Sequence, residues 1–142
     1  MASDGSIRFV IDTNVLFEGL TTQGSASGLL IDAWVAGMFD ACATDALAYE
    51  YADVLSRKLT SARWHRLQPV LGYLLSVTHF VVVYYRWRPI SPDAGDDHIV
   101  DCAMNSGAAI ITWNTKDFRR AEDSLGLTVL TPSEAVRFLA AD

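Results

Sequence analysis

The sequence predicts an α/β fold: a three-layer α/β/α sandwich around a central, mainly parallel sheet. Short apolar segments of strand length alternate with longer segments in which apolar residues recur every three or four positions. Strands separated by helices of this length pair in parallel and need helices on both faces of the sheet. The chain has 142 residues, of which 51% are apolar, so we expect one domain over residues 1–142.

Five segments are strand-like, because each is short and mainly apolar. The longest apolar run covers residues 80–85, and residues 79–85 are expected to be the clearest buried strand. In chain order, the predicted strands are residues 8–11, 39–43, 79–85, 109–112 and 127–130.

The predicted helices begin and end at capping signals. Thr44 or Asp45 caps the second helix, and Gly107 ends the fourth. Thr131 caps the last helix, with Glu134 three residues on as in a capping box. In chain order, the helices cover residues 25–35, 45–58, 61–76 with a bend at Pro69, 96–105, and the segment from residue 131; a stiff loop is expected at residues 89–95.

Composition argues against several classes of protein. No apolar run reaches the ~18 residues of a membrane span. The N-terminus lacks the basic and apolar pattern of a secretion signal, so we expect a cytoplasmic protein. Cys42 and Cys102 have no CxxC partner, which argues against a zinc site or a disulfide framework. The chain has no serine or cysteine nucleophile motif, P-loop or dinucleotide motif.

Acidic and amide side chains are predicted to gather at the carboxyl edge of the sheet, where ligands bind in open parallel sheets. Each has an ordinary explanation when taken alone, as a helix cap, a turn residue or a solvated helix residue. The joint pattern carries the functional hypothesis. These residues are Asp12 after the first strand, Glu50 in the helix after the second, Asp96 and Asp97 at a helix start, and Asn114 and Asp117 after the fourth strand.

Helical geometry predicts how close each acid lies to the apolar face of the helix that starts near Asp96. The apolar residues between positions 99 and 104 form a stripe. Asp96 falls at the centre of that stripe, Asp97 at its edge and Asp101 further out. His98 falls on the side expected to be exposed, so no catalytic role is predicted for it.

Several carboxylates cannot stay ionised together in a cleft without compensation, because like charges raise each other's pKa. Mg²⁺ and Mn²⁺ prefer carboxylate and water oxygens and resolve this conflict. Such sites are suited to phosphate chemistry, in which a metal ion activates water and stabilises the leaving oxygen.

Four motifs in order resemble those of PIN domains. They are VIDTNVL at residues 10–16, AYEYADVL at 48–55, DDHIVDCAMNSGA at 96–108 and IITWNTKDF at 110–118. The branch that they resemble most is the VapC-type bacterial toxins of toxin–antitoxin pairs. The resemblance covers almost the whole chain.

This resemblance implies a Mg²⁺- or Mn²⁺-dependent endoribonuclease, a small antitoxin partner and a homodimer. Matched by position, Asp12, Glu50 and Asp96 would be the metal-binding acids. Relatives often have Asp where this chain has Asn114, so Asn114 or Asp117 must complete the site. The resemblance matches three polar positions that relatives use around the site, Thr13, Asn14 and Thr112. We also expect support from Asp97 and Asp101, which neighbour Asp96 on its helix.

The charge distribution bears on the RNA substrate. The net charge of −6 opposes nucleic-acid binding, but residues 54–92 contain no Asp or Glu and six of the eleven Lys and Arg. Cations mixed with aromatic residues suit single-stranded RNA; alternatively, the arginines are solvated and the aromatics belong to the core or to an interface, or an acidic antitoxin tail docks there. The candidate RNA contacts are Arg57, Lys58, Arg63, Arg66 and Lys116.

Two other functions remain as alternatives. A non-catalytic PIN module that binds RNA or a protein is kept open by Asn114. A phosphohydrolase with an aspartyl-phosphate intermediate is disfavoured, because position 14 is Asn14 rather than a second acid, and no clear phosphate-binding lysine is present.

Overall fold

The computed structural model describes residues 6–86 and 96–141. In these residues the elements are β1 (Arg8–Ile11), α1 (Thr13–Thr21), α2 (Ala26–Val35), β2 (Asp40–Ala43), α3 (Asp45–Lys58), α4 (Ser61–Ser76), β3 (His79–Phe80), α5 (Asp97–Ser106), β4 (Ala109–Ile111), a 3-10 helix (Thr115–Phe118), α6 (Arg119–Leu125), β5 (Val129–Leu130) and α7 (Pro132–Ala140).

The five strands form one parallel sheet in the order β3-β2-β1-β4-β5. β1 lies at its centre, where Phe9 pairs with Ala41 of β2 and with Ala109 of β4. Phe9, Val10 and Ile11 are all buried, as expected for a strand that is covered on both faces. α5 packs against β1, β2 and β4, while α1, α2 and α7 pack together. The predicted sandwich is confirmed.

The capping predictions are confirmed at three helix ends. The Thr44 hydroxyl, rather than Asp45, accepts a hydrogen bond from Leu47 N at 3.2 Å and caps α3. Gly107 ends α5 in the left-handed conformation, with φ of 71°. Thr131 and Glu134 form a reciprocal capping box at the start of α7.

The predicted buried strand at residues 79–85 is wrong. The strand β3 covers His79–Phe80 alone, and both residues are exposed. β3 lies at the edge of the sheet, so it has a neighbouring strand, β2, on one side only. Because β2 ends at Ala43, the ladder closes with one further bond from Val81 N to the Ala43 carbonyl.

Other sequence predictions concern the cysteines, the helices and one loop. Cys42 and Cys102 are free thiols, and both are buried. α4 contains Pro69, and α1, the 3-10 helix and α6 were not predicted. The loop predicted at residues 89–95 lies outside the described residues. Among residues 6–86 and 96–141, no helix is long and apolar enough to cross a membrane.

Candidate active site at the carboxyl edge of the sheet

Asp12 is held at the point where β1 becomes α1. Its backbone N–H donates to the Ile111 carbonyl at 2.9 Å, which extends the pairing with β4 by one residue. As the N-cap of α1, its Oδ1 accepts a hydrogen bond from Thr13 N at 2.8 Å. Its Oδ2 accepts one from the Thr112 hydroxyl at 2.7 Å. Both carboxylate oxygens are therefore fixed by the ends of two adjacent strands.

The charge of Asp12 is poorly compensated. The residue is 7% exposed. Burial raises the pKa of Asp12, the hydrogen bonds from Thr112 and Thr13 lower it by less, and the negative charge of Glu50 raises it further. A positive charge beside this carboxylate would relieve the conflict.

Glu50 lies on α3 and reaches Asp12 through Thr13. The Thr13 hydroxyl donates a short hydrogen bond to Glu50 Oε2. Glu50 Oε1 lies 3.1 Å from His98 Nε2. Tyr51, the residue after Glu50, donates a hydrogen bond from its hydroxyl to the carbonyl of Ile11, the residue before Asp12. This buried hydrogen bond joins the chain segments that carry the two acids.

His98 is the residue that sequence reasoning missed. It was expected on the exposed side of α5, but its side chain is 23% exposed and contacts Glu50. The reason is that α3 covers this side of α5, which the pattern of a single helix cannot reveal. The hydrogen bond with His98 is the largest cause of a lowered pKa at Glu50, and burial opposes it.

An open cleft of about 270 Å³ gathers most of the predicted site residues. Of the predicted acids and amides, Glu50 and Asp97 do not line it. Sequence reasoning did not identify Phe17 or Val54, whose apolar character gave no functional signal. The lining residues are Asp12, Thr13, Asn14, Phe17, Val54, Lys58, Asp96, Asn114 and Asp117.

The predicted order of burial on α5 is wrong. Asp97 and Asp101 are 1% and 2% exposed, whereas Asp96 is partly exposed at the cleft. α5 contacts three strands and α3, so its buried arc is wider than its apolar stripe. Asp96 occupies the N-cap position, but its side chain makes no capping hydrogen bond.

The far wall of the cleft follows β4. The Thr112 hydroxyl donates to Asp12 and accepts from Asn114 N at 3.0 Å. Asp117 lies in the 3-10 helix, which the buried Phe118 side chain anchors to the core. The loop after β4 is therefore tied to the same carboxylate as the start of α1.

Comparison with known proteins decides the family. The PIN domain family matches residues 8–116, most of the chain. The chain belongs to the PIN domain family. No curated protein matches the sequence.

Solved structures are similar to this PIN domain at low sequence identity, which shows the fold alone. FitAcB from Neisseria gonorrhoeae has a TM-score of 0.61 at 18% identity, covering 87% of this chain and 97% of its own. VapBC2 from Rickettsia felis, bound to a DNA fragment from its promoter, has 0.64 at 13%, covering 88% and 98%. PAE2754 from Pyrobaculum aerophilum has 0.64 at 13%, covering 98% and 94%.

The carboxylate oxygens in the cleft of this PIN domain are suitable ligands for a hydrated hard cation. Within residues 6–86 and 96–141, no three or more His, Cys, Asp or Glu side chains form a ready-made metal site. The cleft does offer oxygen donors from Asp12, Asp96 and Asp117. Mg²⁺ keeps several waters and is commonly bound by one or two carboxylates, so this donor set is chemically suitable for it.

The predicted RNA contacts of this PIN domain differ in position. Arg57 is exposed and pairs with Asp53 at 3.0 Å. Arg63 and Arg66 are exposed on α4, and Lys116 is exposed in the 3-10 helix. Lys58 is the one of the five that lines the cleft. Of the aromatics mixed with these cations, Trp64 packs partly against the core, Tyr84 is exposed, and Trp87 lies outside the described residues.

Proposed function

We propose that this PIN domain, with residues 1–142 as one domain, is a metal-dependent endoribonuclease and the toxin of a toxin–antitoxin pair. It would cleave single-stranded or structured RNA in the cytoplasm. PIN domains are generally nucleases. The observation that carries the proposal is the environment of Asp12, a buried carboxylate of raised pKa that opens on a cleft shared with Asp96 and Asp117.

Asp12 and Asp96 are the residues that would hold Mg²⁺ or Mn²⁺ directly, with Asp117 or Asn114 on the opposite wall. When bound, such an ion activates water for attack on a phosphodiester and stabilises the leaving oxygen. Glu50 lies behind Thr13 and outside the cleft lining. We therefore assign it a supporting role at the metal site, together with Asp97, which is buried on α5.

The remaining residues fix the carboxylate of Asp12. Thr13 N and the Thr112 hydroxyl each occupy one lone pair of a different oxygen. A carboxylate oxygen has two lone pairs, so each oxygen keeps one for a cation or its water. Thr112 also holds Asn114 N, which orients the opposite wall. The geometry thus presents a rigid carboxylate without using up its capacity as a ligand.

The test is RNA cleavage by the purified protein with Mn²⁺ or Mg²⁺. Asp12→Asn is expected to lower the rate by about 100-fold or more, since losing even an outer partner of a metal ligand costs 10–100-fold. EDTA should abolish cleavage. Asp123→Asn, an exposed change on α6, is the control and should cleave like the wild type. Equal cleavage by Asp12→Asn, or cleavage that is insensitive to EDTA, would reject the metal mechanism.

A non-catalytic module is the second candidate. It is favoured by Asn114, a neutral group at a wall position of the cleft, and by Glu50, whose oxygens contact Thr13 and His98 instead of the cleft. Such a module would bind RNA or a protein without cleaving. Undetectable cleavage by the wild type over a range of RNAs and metal ions, together with RNA binding, would favour this candidate.

We also propose a small antitoxin partner and a homodimer. The similar FitAB structure is bound to an IR36 DNA fragment, and VapBC2 to a fragment from its promoter. Complexes of this kind support a DNA-binding partner for this chain. If a small gene lies immediately upstream, co-expression with it, followed by light scattering on the purified complex, tests both assignments. A monomer that captures no partner would contradict them.

A further inference from the structure

Lys58 is the one Lys or Arg among the described residues that line the acidic cleft. It is the last residue of α3 and lines the cleft with Asp12, Asp96 and Asp117. Its ammonium nitrogen lies 5.3 Å from the centroid of the Phe17 ring, a cation–π contact. The contact joins the end of α3 to α1, the helix that Asp12 caps.

Lys58 and its neighbour Arg57 differ in their ion pairing. Arg57, the preceding residue, forms an ion pair with Asp53 one turn back. The structure gives no such pair between Lys58 and a carboxylate in residues 6–86 and 96–141. An aromatic face holds an ammonium without occupying its three N–H donors with charged acceptors. A new anion can therefore bind Lys58 without breaking an ion pair.

We infer that Lys58 binds a backbone phosphate of single-stranded RNA beside the acid cluster, and that Phe17 positions its ammonium. This inference rests on the proposed ribonuclease function. Three carboxylates at the cleft repel a phosphodiester, so a cation at the same cleft supplies the attraction that brings the strand in. An ammonium is a compact point charge that suits a phosphate oxygen.

A different role for Lys58 predicts a different result. A cation in the last turn of a helix is stabilised by the helix dipole and in turn stabilises the helix. If that is its whole role, replacement lowers thermal stability and leaves RNA affinity unchanged. Measuring both properties on the same variants separates the two roles.

The experiment measures the affinity for a labelled single-stranded RNA of mixed sequence by fluorescence anisotropy in EDTA over a series of salt concentrations. A gel checks that the RNA is intact. Lys58→Met, which keeps the apolar stem, is expected to weaken binding about 3- to 10-fold near 0.1 M salt. It should also lower the slope of log affinity against log salt by about 0.7, the value for one phosphate contact on a single strand. Lys58→Arg should restore the slope.

Arg137→Met is the matched control, because it removes one positive charge from α7, outside the residues that line the cleft. Its affinity and salt slope should equal those of the wild type. An equal loss in Arg137→Met would mean that net charge alone is responsible. An unchanged salt slope in Lys58→Met, or no RNA binding by the wild type, would overturn the inference.

Phe17 is tested by a double-mutant cycle. Phe17→Leu is expected to weaken binding less than Lys58→Met does, and the double variant should bind like Lys58→Met alone. Additive losses would contradict a positioning role for the ring.

Cleavage assays with Mn²⁺ distinguish this inference from the proposed function. If the wild type does not cleave, the ribonuclease assignment fails, whatever the binding data show. If the wild type cleaves and Lys58→Met retains its kcat/KM, the ribonuclease assignment stands and the role of Lys58 is rejected.

Discussion

Two edges of the sheet depart in opposite ways from the usual pattern, in which apolar side chains are buried and polar ones are exposed. At the carboxyl ends of β1 and β4, Asp12 and Thr112 are polar and buried, and they are hydrogen-bonded to each other. At the outer edge, on β3 and beyond it, Phe80, Val82 and Tyr84 are apolar and between 43% and 80% exposed. Buried polar groups cost stability unless they are paired, whereas exposed apolar groups cost little. Substitutions at the first edge should therefore lower the free energy of unfolding strongly, and substitutions at the second edge should lower it only slightly.

The strongest stability test of this contrast is Thr112→Val. Valine keeps the shape but removes the hydroxyl that donates to Asp12 and accepts from Asn114 N. We expect a loss of about 2 kcal/mol in the free energy of unfolding, because a buried carboxylate oxygen loses its donor. Urea unfolding at neutral pH measures it.

The matched control is Thr128→Val, since Thr128 is exposed and its described hydrogen bond is made by its backbone carbonyl. Its stability should remain close to that of the wild type. A Thr112→Val protein as stable as this control would show that the buried network contributes nothing.

A smaller effect is expected at the partly buried end of the same network. His98→Ala removes the partner of Glu50 and should cost about 0.5–1 kcal/mol, since the Glu50 side chain is 35% exposed and solvent screens the contact. His98 lowers the pKa of folded Glu50 from 4.5. The stabilisation is therefore present above that value and is lost as the pH falls through the lower folded pKa.

Urea unfolding at several pH values from neutral to strongly acidic checks this prediction. The difference between His98→Ala and the wild type should shrink in acid as Glu50 becomes protonated. His65→Ala, an exposed histidine on α4, serves as the control. A difference that grows towards low pH would contradict the proposed pairing.

The smallest effect is expected at the outer edge. Val82 is 65% exposed, so Val82→Ser should change the free energy of unfolding by no more than about 0.5 kcal/mol. Cleavage of RNA should also be unchanged. Thermal unfolding and the Mn²⁺ assay measure both, and a loss comparable to that of Thr112→Val would remove the contrast between the two edges.

The sequence predicts the acidic edge better than the apolar one for a physical reason. Asp12 and Asn114 follow the adjacent strands β1 and β4, and the carboxyl ends of adjacent parallel strands meet at one edge. Their proximity follows from strand order alone. The burial of a strand also depends on its neighbours, and β3 has β2 on one side only, so its apolar run misled the prediction.

Residues that depend on packing between helices were beyond the reach of sequence patterns. His98, Asp97 and Asp101 were misplaced because the cover that α3 and the sheet give to α5 is a property of the assembled fold. The oxygens of Glu50 contact Thr13 and His98, and its role as a metal ligand stays a prediction. Spacing along one element places a residue on a face, while its partners come from other elements.

Gly19 lies on α1, seven residues after Asp12, and allows α1 to pack closely against α2. A Cβ at this position would lie 2.5 Å from Ile31 Cγ1 and 2.7 Å from the Ser27 carbonyl oxygen, so α1 and α2 pack here without room for a methyl group. Seven residues of helix span about 10 Å, which is the distance along α1 between this contact and Asp12 at the start of the helix. A displacement of α1 at Gly19 would therefore tilt the Asp12 carboxylate relative to Asp96, and the geometry of the proposed metal site would depend on a residue outside the cleft lining.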